Sequence, residues 1–136
     1  MLMKTLSSLQ KKTLKKIAEK YQLNFLILFG SLAQNKERKD SDADVAVSGK
    51  EKLNFDKQLL LIRDLEEVFN RKIDLSFTEF ANPLLLKQIS KNGILLCGSK
   101  KDFFNFKLYA FHRFNDYLPY FKREERLVKE LVRLNN

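Results

Sequence analysis

Apolar residues recur along the chain with two different periods, and the switches between them mark out the elements. Leu6, Leu9, Leu14, Ile17, Ala18 and Tyr21 return every three or four positions, which predicts an amphipathic helix over residues 4–21. The run Asn24-Phe25-Leu26-Ile27-Leu28-Phe29 is short and almost continuously apolar, so it reads as a buried strand closed by Gly30-Ser31. A polar stretch from Gln34 to Ser41 leads into Asp42-Ala43-Asp44-Val45-Ala46-Val47, a second strand ended by Ser48-Gly49. Leu60, Leu61, Leu65, Val68 and Phe69 share one side of a helix over 54–69, and Lys72 to Phe77 alternates as a third strand. Pro83 suits the first turn of a helix reaching Lys91, Asn92-Gly93 stops it, and Ile94 to Cys97 forms a fourth strand.

Strands alternating with helices predict an α/β (α+β) fold, a sheet flanked by helices. From about Asp102 the period is helical throughout, with Phe104, Leu108, Phe111, Phe114, Leu118 and Phe121 followed by Leu127, Leu131 and Leu134. Pro119 is expected to kink or split this helix. The organisation that follows is a core over residues 1–100 with a helical extension over 101–136 packed on it. An aromatic stripe of this kind reads first as core packing, and it is also a possible partner-binding surface.

Composition narrows the classes. A chain of 136 residues with 44% hydrophobic positions holds one domain with one core. No apolar run approaches the roughly 18 residues that span a bilayer, and the lysines at 4, 11, 12, 15 and 16 interrupt any signal-peptide core, so a cytoplasmic location is expected. The net charge of +9 allows an anionic partner without choosing one, since many of the lysines decorate the solvated face of the first helix; direct binding of nucleic acid is not expected. The lone Cys97 lies in an apolar run as a packing residue and excludes an internal disulfide or a Cys-rich zinc site. With His112 as the only histidine, a metal must be held by carboxylates, which favours a hard ion such as Mg²⁺.

The chemistry concentrates between Phe29 and Asp44. Gly30 lets a backbone approach a phosphate closely, and Ser31 adds a hydroxyl and an N–H at the start of a short helix. Asp42 and Asp44 are two apart, so on a strand both project from one face, and their repulsion calls for a cation. Asp74 sits mid-strand, where a carboxylate is unfavourable without a purpose, between Ile73 and Leu75 turned the other way. Lys36, Arg38 and Lys39 could reach a triphosphate but read better as a solvated loop. Ser41 suits turn chemistry or a phosphate contact.

Gly30-Ser31, ten intervening residues and Asp42-Ala43-Asp44 resemble the G-S-x10-D-x-D signature of the DNA polymerase β-like nucleotidyltransferase superfamily, and Asp74 resembles its third, strand-borne carboxylate. The size, element order and helical tail are most similar to the minimal nucleotidyltransferases (MNT) encoded beside HEPN-domain toxins. The resemblance implies a polymerase β-like core in which Gly30 and Ser31 bind nucleotide while Asp42, Asp44 and Asp74 are catalytic and hold two Mg²⁺ ions. It further implies transfer of AMP from ATP to a tyrosine of a HEPN ribonuclease, which would make the chain an antitoxin. Asn105, Phe106 and Lys107 stand where a HEPN nuclease would carry its arginine before His112, so the chain does not read as the toxin. Transfer to a small molecule or an RNA end, and neutralisation by binding alone, stay open as alternatives.

Overall fold

The structure is a computed structural model that describes residues 6–36 and 41–135. Helix α1 (Ser8–Lys20) starts at a reciprocal cap, with the Ser7 hydroxyl accepting from the Gln10 N–H and the Gln10 side chain accepting from the Ser7 N–H. The part of the expected first helix before residue 6 lies outside the described residues. Strand β1 (Leu23–Phe29) runs directly into a one-turn helix α2 (Gly30–Ala33), and β2 (Ala43–Gly49) follows. Helix α3 (Phe55–Phe69) is capped by Asn54, whose side chain accepts from the Lys57 N–H, and ends on Asn70 at φ +51. Strand β3 (Ile73–Phe77), a 3₁₀ turn (Thr78–Phe80), α4 (Pro83–Asn92), β4 (Ile94–Gly98) and α5 (Lys100–Leu134) complete the chain.

The four strands lie in the order β3-β2-β1-β4. β1 is antiparallel to β2 and β4, while β2 and β3 are parallel, a pairing that requires the crossover supplied by α3. Alternation along the strands sends residues to two layers. Leu26, Leu28, Val45 and Val47 pack against α1 and α3, and Phe25, Ile27, Phe29 and Ala46 pack against α4 and α5. Across the first layer Asp64 ties α3 to α1 by accepting from the Tyr21 hydroxyl at 2.6 Å and from Lys20 Nζ at 3.1 Å. Cys97 is half-buried against this layer, where burial pushes its thiol up, in keeping with a packing role.

Helix α5 refines expectation in two ways. It is not split at Pro119; the carbonyl deprived of a partner belongs to exposed Asn115, where water can satisfy it. Its aromatic stripe is only partly core, because among its side chains Phe106 and Ala110 alone are buried. The helix begins near the end of β1 remote from Gly30, where Phe106 packs on Phe25 at 5.4 Å between ring centroids. By Phe114 it has reached Lys87 of α4, whose Nζ lies 4.0 Å from the ring centroid. From there it runs on to Leu134, roughly 30 Å at 1.5 Å per residue. Leu127, Val128, Leu131, Val132 and Leu134 on this stretch are exposed. None of the described helices is long and apolar enough to cross a membrane.

Candidate active site

Strand register brings the carboxylates together. Asp44 pairs with Phe29 across the β1–β2 ladder and with Asp74 across the parallel β2–β3 ladder. Two carboxylates separated by 29 intervening residues thus become direct neighbours. Gly30 follows Phe29 at φ +73, a backbone region that favours glycine, and a Cβ placed there would overlap the Asp44 carboxylate. The glycine is therefore required by the carboxylate beside it as well as by any phosphate that approaches.

Asp44, Asp74 and Gly30 line a cavity of about 300 Å³ together with Phe29, Gln34 and Ser76 from the sheet side and Leu85, Gln88 and Asn92 from α4. Asp42 precedes β2 instead of opening it, so it stands exposed beyond the strand end and acts on Asp44 through its charge. Ser31 sits in the first turn of α2, half-buried beside Gly30, and does not itself line the cavity. Lys36 is exposed; Arg38 and Lys39 lie outside the described residues. The Ser41 carbonyl accepts from an Arg71 guanidinium N–H at 2.9 Å, which fixes the approach to Asp42. His112 is an exposed side chain edge-on to Phe111, far along the sequence from these groups.

Burial pushes the Asp44 carboxyl up to about 6 from its ordinary 3.8, and the charge of Asp74, a hydrogen bond shared with Asp74 and the charge of Asp42 push the same way. The neighbouring carboxylates thus make the ionised form of Asp44 less favourable than it is in water. Among the described residues no three His, Cys, Asp or Glu side chains stand close enough to hold a metal as they are arranged. The donor set nonetheless fits a hard divalent ion: it is all carboxylate oxygen and gathers negative charge that a cation would neutralise.

Sequence reasoning did not find Ser76, Gln34, Gln88 or Asn92. Ser76 was accessible in principle, since it stands two after Asp74 on the same strand face. Gln88 and Asn92 share a side of α4 at i and i+4, but nothing local says that this side meets β3.

The family model described as polymerase beta, nucleotidyltransferase matches residues 12–102. A candidate protein adenylyltransferase of Methanocaldococcus jannaschii is 31% identical over 98 residues, which cover 69% of this chain and 100% of the relative. Among solved structures, a toxin-antitoxin crystallised with AMP-PNP shares 21% identity at TM-score 0.73, covering 90% of this chain and 98% of the other. A Shewanella oneidensis complex of MNT antitoxin with tri-AMPylated HEPN toxin gives 20% identity and TM-score 0.67, covering 91% and 97%. At these identities the structural matches establish the shared fold, including the mixed four-stranded sheet and the long last helix.

Proposed function

Because the chain belongs to the polymerase beta nucleotidyltransferase family, we propose that it transfers AMP from ATP to a tyrosine hydroxyl of a HEPN ribonuclease partner and thereby acts as its antitoxin. The observation that carries this reading is the Asp44–Asp74 pair at an open cavity beside Gly30, where the gathered negative charge and burial raise the proton affinity of Asp44. Asp42, Asp44 and Asp74 would hold Mg²⁺, which supplies charge neutralisation for the triphosphate and activation of the acceptor hydroxyl. Gly30 and Ser31 orient the β- and γ-phosphates through backbone N–H groups and the Ser31 hydroxyl. In this reading Asp74, on the strand farthest from Gly30, would help activate the acceptor hydroxyl. A reaction that consumes ATP with Mg²⁺ belongs in the cytoplasm.

A protein acceptor accounts for the last stretch of α5. Leu127, Val128, Leu131 and Leu134 are exposed on the stretch of helix that follows the contact between Phe114 and Lys87 of α4. An exposed apolar stretch of this kind suits the docking of a protein partner. Adenylylation adds a bulky anionic group, which opposes RNA binding by the nuclease through both volume and charge. The test is to incubate the HEPN protein encoded beside this chain with ATP and Mg²⁺, reading its intact mass and ribonuclease activity, with Asp44→Asn as control. A gain of one or more AMP units with loss of nuclease activity, absent in the control, is the expected result. Neutralisation by Asp44→Asn without any mass gain would overturn enzymatic transfer in favour of binding alone.

A further inference from the structure

In-line transfer places the leaving pyrophosphate, the α-phosphorus and the acceptor oxygen roughly on one axis. On the reading of nucleotidyl transfer given above, on which this inference rests, that axis runs across the strands. It passes from Gly30 at the end of β1, past Asp44 on β2, to Asp74 on β3. The ribose hangs from the α-phosphorus off this axis, so it points either out past the strand ends or onto the sheet face that bears the carboxylates. Asp44 shares that face with Ala46, which packs in the layer formed by α4 and α5. The α4 side chains that meet the carboxylates across the cavity are Leu85, Gln88 and Asn92.

Gln88 and Asn92 stand one helical turn apart on the same side of α4. Each carboxamide offers an acceptor and two donors without charge. Among the described residues neither side chain makes a hydrogen bond to the protein, which leaves both sets of polar atoms available. Among the described residues that line this wall there is no cation of the kind a phosphate-binding surface would use, and Lys87 of α4 lies instead over the Phe114 ring at 4.0 Å. A neutral wall with paired donors and acceptors matches vicinal hydroxyls and not a phosphate. We propose that Gln88 and Asn92 bind the 2′- and 3′-hydroxyls of the nucleotide, making the chain selective for ribonucleoside triphosphates.

The test is calorimetry of the full chain in Mg²⁺, without acceptor, using AMP-PNP, ATP and 2′,3′-dideoxy-ATP. The wild type is expected to bind ATP about tenfold more tightly than the dideoxy nucleotide, the order given by two neutral hydrogen bonds. Gln88→Leu/Asn92→Leu should bind both nucleotides alike, near the wild-type affinity for dideoxy-ATP. The single exposed-site variant Gln88→Ala should keep only part of the discrimination, and thermal melting verifies that each variant folds. Undiminished discrimination in the double variant, or none in a wild type that binds ATP, overturns ribose recognition and leaves nucleotidyl transfer standing. Failure of wild type to bind ATP or AMP-PNP at all overturns both.

Discussion

The two faces of the one sheet have been put to different uses. On the α1–α3 side sixteen buried residues among those described form one closed cluster, with Leu26, Leu28, Val45, Val47, Leu61 and Leu65 excluded from solvent. On the α4–α5 side eight of the described residues are buried and cover only part of the sheet, and the rest of that face opens into the cavity that holds Asp44 and Asp74. Strand alternation lets a single β2 serve both, since Val45 and Val47 fill the closed layer while Asp44 and Ala46 face the open one. A site that gathers like charges is locally destabilising, and the closed layer behind it supplies the packing that keeps it in place.

That division predicts opposite responses to substitution. The largest effect is expected from Asp44→Asn, which should lower adenylyl transfer by about 10³-fold or more, read by transfer of radiolabelled AMP, because a developing charge loses its preorganised support. The same variant should melt at or above the wild-type temperature, since it removes a repelled carboxylate. Leu65→Ala, fully buried in the closed layer, should cost about 2–5 kcal/mol in denaturant titrations while the remaining folded fraction binds ATP normally. If Leu65→Ala instead abolished ATP binding in folded protein, the two faces would not be separable. Ser31→Ala should weaken transfer by roughly 1.5–3 kcal/mol, less than Asp44→Asn, because only a side-chain donor is lost and the backbone N–H persists.

The smallest effect is a pH dependence. With its carboxyl at about 6 in the folded protein against 3.8 ordinarily, Asp44 binds its proton more tightly folded than unfolded. Its contribution to stability is fully present below pH about 4, is lost as pH rises through about 6, and is level above. For a half-buried group partly screened by solvent, we expect about 1 kcal/mol. Denaturant titrations of wild type and Asp44→Asn from pH 4 to 7 in chelator isolate it: the gap between them should widen in favour of the variant as pH rises. A constant gap would mean that Asp44 is not elevated. Asp64 works in the opposite sense, since hydrogen bonds from Tyr21 and Lys20 outweigh its burial and hold its carboxyl below the usual range.

The sequence by itself determined the elements and the chemistry of the loop after β1. Periodicity located every strand to within two residues at either end, because alternation and apolar runs are local, and Gly30, Ser31, Asp42 and Asp44 lie within one short segment whose spacing is visible directly. Only tertiary structure decided what pairs with what. That Asp74 lies beside Asp44, that Gly30 is fixed by the Asp44 carboxylate, and that Gln88 and Asn92 face both carboxylates all follow from the β2–β3 register and the seating of α4. The same holds for α5, whose stripe of Phe, Leu and Val is periodic from end to end while only its first part meets the sheet. Period fixes which side of a helix is apolar; whether that side finds a neighbour depends on how far the rest of the fold extends.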